Sequence, residues 1–151
     1  MNEDKLAIGL CGLKLALDTA EVAGIVSVRH AAYMPHQSGF VSGVISLRGE
    51  PVAVVDVSRA FDCPQEDAPD KAPSRKVIVV KDASRTLGLD VGAADVYFLW
   101  TEELKKSVPG ESRAGFAKGT IELDRDRYII IDWRALFDEA ARVLATEESH
   151  V

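Results

Sequence analysis

The chain has 151 residues, of which 47% are hydrophobic and 28% are charged, and its formal net charge is −6. This size suits one domain, or two small closely joined ones, with a substantial buried core. The negative charge and the absence of Lys/Arg clusters interleaved with aromatic residues exclude the usual nucleic-acid binders, so we expect no nucleic acid partner.

The first residues of the chain are acidic and do not resemble a secretory signal. No apolar run approaches the roughly 20 residues that a membrane-spanning helix needs, so we expect no direct membrane insertion. Cys11 and Cys63 stand in no metal-ligand or redox spacing. These features predict a cytoplasmic protein with reduced thiols.

The N-terminal third of the chain predicts a β-hairpin and a third strand. Apolar residues alternate over residues 6–11 and again over Leu13–Leu17, which is the period of a strand with one buried face. Asp18 and Glu21 have the spacing of a capping box, which predicts a short helical turn with Asp18 as its N-cap. A further short strand is predicted at Ile25–Val28.

The next segment predicts a second hairpin, with strands Phe40–Leu47 and Val52–Val57. Gly49 can take the positive φ that a short turn often needs, and Pro51 presets φ as the second strand begins. Arg48 is thereby placed where a buried sheet meets water. Its five fixed donors suit the carboxylates or carbonyls of a partner.

Two polar segments interrupt the remaining strands. The first, Asp62–Ser74, contains three prolines and four acidic residues and is predicted to be a surface loop. The second, Thr101–Ala114, is also predicted to be a loop. The strands predicted around these loops are Lys76–Lys81, Thr86–Val91, Asp95–Leu99, Phe116–Leu123 and Tyr128–Ile131.

The C-terminal segment changes to a helical period, and Asp132 is its predicted N-cap. Nine or ten short strands followed by one helix predict an all-β chain of small barrels. No internal repeat of 20–50 residues is visible in the sequence. The apolar stripe of the helix consists of Trp133, Leu136, Phe137, Ala140, Ala141 and Leu144.

The second hairpin carries a recognisable pattern: Gly43-Val-Ile-Ser-Leu-Arg-Gly49, then an apolar strand that ends in Asp56. This pattern resembles the signature of the CheW family, the bacterial coupling proteins that link chemoreceptors to the histidine kinase CheA. The segment from Ala114 to Asp132 resembles the closing strand pair of the same family. The likeness extends over nearly the whole chain.

The resemblance implies a fold of two five-stranded SH3-like β-barrels packed together, followed by a C-terminal amphipathic helix. We therefore expect residues 1–151 to form a single CheW-like domain with two intertwined barrel subdomains. The implied function is that of a non-enzymatic adaptor without cofactor or metal. The implied partners are the regulatory domain of a CheA-type kinase and the cytoplasmic tip of methyl-accepting chemoreceptors. The expected partner-binding residues are Val44, Leu47, Arg48, Gly49 and Val52.

Two departures from the family pattern leave the identity of the partners open. Gly24 stands where the family often has an acidic residue, and the segment Gly88–Gly92 differs from the usual Gly-x-x-Val-Asp. One alternative is therefore an adaptor of a non-flagellar chemosensory pathway, for twitching or another surface response. Another is a β-barrel that binds a small ligand or peptide outside chemotaxis.

An enzyme is the third alternative, and the sequence offers little for it. His30 and His36 stand in a predicted loop with no Cys, Asp or Glu between them to complete a metal site. No nucleophile elbow, dinucleotide fingerprint or phosphate loop is present. Asp56 and Asp132 each close an apolar strand, which is typical of a cap. We therefore expect no catalytic or metal-binding residue.

Overall fold

The computed structural model describes residues 5–10, 12–28, 41–61, 75–99, 105–107, 116–123 and 125–148. The predicted loop Asp62–Ser74 lies outside these ranges. The strands are β1 (Lys5–Leu10), β2 (Leu13–Asp18), β3 (Val22–Val28), β4 (Val41–Leu47), β5 (Glu50–Asp56), β6 (Arg75–Lys81), β7 (Thr86–Gly92), β8 (Asp95–Leu99), β9 (Lys105–Ser107), β10 (Ala117–Leu123) and β11 (Asp126–Ile131). The helices are α1 (Val57–Ala60) and α2 (Trp133–Glu148), and Thr19–Glu21 forms one 3₁₀ turn.

The strands form two sheets, which we call sheet A and sheet B. Sheet A has the order β8-β1-β2-β11-β10-β9, and sheet B has the order β3-β6-β7-β5-β4. The predicted all-β fold of two small SH3-like barrels with a C-terminal helix is confirmed. Sheet A has six strands because β9 pairs with β10, within the polar segment that was predicted as a loop.

Each sheet has its own small core, and the two share a larger one. The shared core contains Leu15 of sheet A, Leu89 of sheet B and Trp133 of α2. Ile121 lies in the separate core of sheet A, and Ile45 lies in that of sheet B. Burial on both sides of the sheets explains why β6 has a continuous apolar run rather than an alternating one.

The two sheets are built on the same plan, which the sequence alone did not reveal. In each, one hairpin (β1–β2 or β6–β7) joins the second strand of another (β10–β11 or β4–β5) through a parallel contact. Residues 43–61 and 119–137 both run from a bulged strand through a hairpin to an Asp-capped helix. Identical residues occupy five matched positions: Gly43/Gly119, Ile45/Ile121, Leu47/Leu123, Asp56/Asp132 and Phe61/Phe137.

The other two hairpins are also equivalent, and each carries a partly buried ion pair. Asp18 and Asp90 directly follow the matched residues Leu17 and Leu89. Lys5 binds Asp18, and its side chain is only 4% exposed. The Nε atom of Arg75 donates to both carboxylate oxygens of Asp90, at 3.0 and 2.9 Å.

The predicted capping box at residues 18–21 is wrong, although the helical turn itself is present. The carboxylate of Asp18 makes no cap hydrogen bond and instead binds Lys5, its partner across the β1–β2 ladder. Glu21 binds Arg134 of α2. Each acidic side chain thus pairs with a cation from another strand or helix rather than with the backbone of its own turn.

The predicted caps at the two strand ends are confirmed. Asp56 accepts from the backbone N–H of Ser58 at 3.0 Å, and Asp132 accepts from that of Ala135 at 3.2 Å. Most of the predicted helical stripe packs inward, but Ala141 is exposed and Leu144 lies outside the described side chains. No helix in the described part of the chain is long and apolar enough to cross a membrane.

Candidate partner-binding surface

Arg48 and Gly49 form the tip of the β4–β5 hairpin. Leu47 pairs with Glu50, so the turn has only these two residues and Pro51 already belongs to β5. Arg48 has φ 52° and Gly49 has φ 82°, which is the pair of positive values that a type I′ turn requires. The positive φ predicted for Gly49 is confirmed.

The same conformation is unfavourable for Arg48, which has a Cβ atom. A left-handed backbone costs a non-glycine residue about 1–2 kcal/mol. The Arg48 side chain is exposed, and no described residue forms a hydrogen bond or ion pair with it. The turn therefore holds the Arg48 guanidinium in water, with no partner among the described residues, at some cost to stability.

The other predicted site residues support the tip to different degrees. Val52 is 4% exposed and lies in the core of sheet B, against which Leu47 also packs. Val44 is half-buried. The hairpin therefore brings all five predicted residues together, with Arg48 and Gly49 at the surface. Val52, which is buried in the core of sheet B, fixes the position of the strand that carries the tip.

The large exposed apolar side chains of the described residues lie on two edge strands. Ile25 lies on β3, the edge of sheet B, and Tyr97 and Phe98 lie on β8, the edge of sheet A. Ile25 pairs with Ile78 and Phe98 pairs with Leu6, and these two partners are matched positions of the equivalent hairpins. Each sheet thus exposes an apolar side chain at the same place on its edge.

A cluster of charged residues joins α2 to the 3₁₀ turn before β3 and to the β6–β7 turn. Arg134 of α2 binds Glu21, which precedes β3, and its Nε atom lies 3.1 Å from Asp82 in the β6–β7 turn. Its guanidinium also lies over the ring of Trp133, at 4.8 Å from the centroid. Arg85 lies 3.0 Å from the same carboxylate of Asp82. We call these residues (Glu21, Asp82, Arg85 and Arg134) the clasp.

The clasp predicts a specific dependence of stability on pH. Hydrogen bonds from the backbone N–H groups of Ser84 and Arg85, and from the side chains of Arg85 and Arg134, hold the pKa of Asp82 well below its usual value. The unfolded chain therefore takes up a proton at Asp82 at a higher pH than the folded chain does. The stabilisation is fully present at neutral pH and declines as the pH falls below about 4.

Urea unfolding at pH 7, 4 and 3 tests this expectation. The free energy of unfolding of Asp82→Asn should be lower than that of the wild type at pH 7, and the difference should shrink at pH 3. The matched control is Asp138→Asn, whose carboxylate is 72% exposed at 3.8 Å from Arg85 and should change little at any pH. A difference that stays constant from pH 7 to 3 would contradict the assignment.

The described residues contain no cluster of His, Cys, Asp or Glu that could hold a metal ion. His30, His36, Cys11 and Cys63 lie outside those residues. An open depression beside the β1–β2 turn is lined by Gly9, Leu10, Gly12, Leu13, Lys14, Asp95 and Tyr97. Lys14 is the one cation among these residues, and its Nζ atom lies 2.6 Å from a carboxylate oxygen of Asp126. Because this charge is already paired, the depression presents little that is specific for a ligand.

Comparisons with known proteins agree with this architecture. The profile of the CheW-like domain family matches residues 6–141. A probable chemotaxis protein CheW of Rhizobium etli is 30% identical over 125 residues, covering 76% of this chain and 78% of the relative. The scaffolding protein TtCheW of Thermoanaerobacter tengcongensis, a crystal structure, is similar in fold, with a TM-score of 0.70 and 23% identity. That likeness covers 87% of this chain and 84% of TtCheW. The chain therefore belongs to the CheW-like domain family.

Proposed function

We propose that this protein is a non-enzymatic adaptor that couples chemoreceptors to a CheA-type histidine kinase. Its partners would be the regulatory domain of the kinase and the cytoplasmic tip of a methyl-accepting chemoreceptor. It would work in the cytoplasm, recruited to membrane-associated receptor arrays, as one CheW-like domain with two intertwined subdomains. Membership of the family and the arrangement of the β4–β5 tip support this proposal.

The observation that carries the proposal is the state of Arg48. An exposed guanidinium without a described partner, held at positive φ on a two-residue turn, is available to a carboxylate of another protein. Val44, Leu47, Gly49 and Val52 would form or support the same surface.

The proposed mechanism is geometric rather than chemical. An adaptor that holds two partners at once raises their local concentration and fixes their orientation. The state of the receptor can then bias the kinase, provided that the two partners are coupled through the complex. The apolar edges at Ile25 and Phe98 offer one contact surface on each sheet, which suits a protein with more than one partner.

Replacement of Arg48 by asparagine tests the site. Asparagine tolerates a left-handed backbone, so Arg48→Asn should melt at or above the wild-type temperature. The loss of a charge-assisted hydrogen bond should weaken binding to the kinase domain or the receptor fragment about tenfold or more. Arg48→Glu should weaken it further because it adds repulsion. Isothermal titration calorimetry with the purified partners measures the affinities of both variants.

The matched control is Arg59→Asn, which removes the same charge from an arginine that pairs with Asp56 within the chain. It should leave both affinities within about twofold of wild type, since the Arg59 guanidinium already has an ion-pair partner within the chain. Wild-type affinity in Arg48→Asn, or loss of its cooperative melting, would show that Arg48 is not a partner-binding residue.

Gly24 favours a second version of the same function, an adaptor of a non-flagellar chemosensory pathway. A Cβ atom added at Gly24 would meet nothing within 4 Å, so the fold has room for the acidic side chain common in the family. Because packing does not require glycine on β3, its presence bears on the choice of partner. The simplest such partner is a receptor or kinase of a different chemosensory system.

A further inference from the structure

The chain passes between the two sheets twice in the described structure. Sheet A contains β1, β2 and β8–β11, and sheet B contains β3–β7. The first crossover is the 3₁₀ turn Thr19–Glu21, and the second is the pair of residues 93–94 between β7 and β8. The relative orientation of the sheets therefore depends on their shared core and on what holds these two crossovers.

The contacts of the second crossover come from sheet B. Lys76 of β6 donates to the carbonyl oxygen of Ala94 at 3.1 Å, and the backbone N–H of Ala94 donates to the carbonyl oxygen of Val91 at 3.1 Å. The backbone N–H of Gly92 donates to the carboxylate of Asp90 at 2.8 Å. These contacts fix the crossover to the sheet that it leaves, and they place no constraint on sheet A.

The first crossover is held by cations from sheet A and α2. Asp18, which precedes the turn, binds Lys5 of β1. The Nζ atom of Lys118, on β10, lies 3.9 Å from a carboxylate oxygen of Asp18 and 4.0 Å from one of Glu21. Glu21, which ends the turn, binds Arg134 of α2. Cations from three different elements therefore hold the two carboxylates at the ends of one short turn.

Arg134 continues this line of charges into sheet B. Its Nε atom lies 3.1 Å from a carboxylate oxygen of Asp82 in the β6–β7 turn, so one guanidinium binds both the crossover and sheet B. The side chains of Glu21 and Asp82 are 17% and 19% exposed. Those of Lys118 and Arg134 are 38% and 36% exposed, so dissolved salt can reach the cations. We call this line of ion pairs the crossover lock, and its members in order are Lys5, Asp18, Lys118, Glu21, Arg134 and Asp82.

The crossover lock adds a constraint of a different kind from the apolar core. Burial of apolar surface is non-directional, so the shared core favours contact between the sheets more strongly than it favours one particular angle. An ion pair forms only where its two charges meet, and linked pairs contribute more than isolated exposed ones. The lock therefore favours the one arrangement in which all of its members are in contact.

We propose that the crossover lock fixes the angle between the two sheets and that ionic strength controls it. When the lock opens, each sheet stays folded and the angle between the sheets becomes variable. That angle sets where the Arg48 tip of sheet B lies relative to sheet A. The lock belongs to the fold itself, and its action does not depend on the adaptor function.

Pulsed electron paramagnetic resonance tests the lock through the distance between two spin labels, one on each sheet. The labels are attached at Ser46→Cys of β4 and Arg127→Cys of β11, two exposed positions outside the lock, after Cys11 and Cys63 are replaced by serine. We expect one narrow distance distribution at low salt. Glu21→Gln, which removes a charge from the centre of the lock, should broaden or shift that distribution while cooperative melting is kept.

Salt gives the second arm of the test. The Debye length falls from about 30 Å at 0.01 M to about 3 Å at 1 M ionic strength, so the higher concentration should move the wild-type distribution toward that of Glu21→Gln. The same salt should change Glu21→Gln much less, because the central contact is already lost. The matched control is Glu139→Gln, which removes the same charge from an i, i+3 pair with Arg142 on α2. It should keep the wild-type distribution at both concentrations.

Lys118→Gln keeps the test decisive if Glu21→Gln does not melt cooperatively. It removes the cation between the two carboxylates from an exposed position, and it should broaden the distribution in the same way. A wild-type distribution in Glu21→Gln, or in Lys118→Gln where Glu21→Gln does not fold, would overturn the proposal. A salt response of equal size in the wild type and in Glu21→Gln would also overturn it, because the response would then come from other charges.

Discussion

Replacing Asp90 by alanine is expected to lower the free energy of unfolding by about 3 kcal/mol. The Asp90 side chain is 3% exposed and accepts two hydrogen bonds from Arg75 Nε and one from the backbone N–H of Gly92 at 2.8 Å. Removing one partner of a buried ion pair costs about 3–5 kcal/mol because the other charge stays desolvated. We expect the lower end because Arg75 is 24% exposed and can reach water.

A double-mutant cycle in urea separates this pair from the rest of the hairpin. Arg75→Ala should also lower the free energy of unfolding. The loss in the double variant should be smaller than the sum of the losses in the two single variants, by about 1–3 kcal/mol. Asp138→Ala, at a highly exposed carboxylate, should change stability by less than about 0.5 kcal/mol. Additive effects of the two changes would show that the ion pair does not hold the β6–β7 hairpin.

Replacing Trp133 by alanine should lower the free energy of unfolding by a comparable amount, about 3–5 kcal/mol. Trp133 begins α2, is 1% exposed and lies in the core that the two sheets share. The change would leave a cavity at the point where the helix docks. It would also remove the ring over which the guanidinium of Arg134 lies.

The matched control is Trp133→Phe, which keeps an aromatic ring in the same position. The indole Nε1 is buried without a hydrogen-bond partner in the described structure, so its N–H contributes a desolvation cost that phenylalanine lacks. Trp133→Phe should therefore lose much less stability than Trp133→Ala. A loss in Trp133→Ala as small as the loss in Trp133→Phe would mean that the ring does not support the docking of α2.

The sequence predicted the elements that have a strong local period. Alternation marked the strands around Ile8 and Leu15, an apolar run before the Arg-Gly turn marked the strand around Ile45, and the i, i+3, i+4 stripe marked α2. Asp56 and Asp132 were identified as caps because each stands where an apolar strand stops. The segment of β9, Lys105–Ser107, has no such signal, because three polar residues show no apolar alternation and the strand is defined by its pairing with β10.

The internal equivalence of the two sheets could not be found from local pattern alone. Only five of the nineteen positions matched between residues 43–61 and 119–137 are identical. The two segments resemble each other mainly in their β-bulges and their strand register. Long-range ion pairs were missed for a similar reason. Asp18 has the spacing of a cap, but its position opposite Lys5 in the β1–β2 ladder decides its partner.

The candidate site was predicted in part. The Arg-Gly turn of the β4–β5 hairpin was recognised from its residues, and the positive φ of Gly49 was expected. A two-residue type I′ turn needs positive φ at both positions, so the strain at Arg48 was also open to prediction. The left-handed backbone at Arg125 was missed, because no glycine stands at that position to indicate it.

The most direct test of the adaptor function is size-exclusion chromatography of this protein with the CheA regulatory domain and a receptor-tip fragment from the same genome. We expect a single ternary species that contains all three proteins in the wild type and is lost with Arg48→Glu. Two results would contradict the proposed coupling. One is that the kinase domain and the receptor fragment elute together without this protein, and the other is that neither of them elutes in a complex with it.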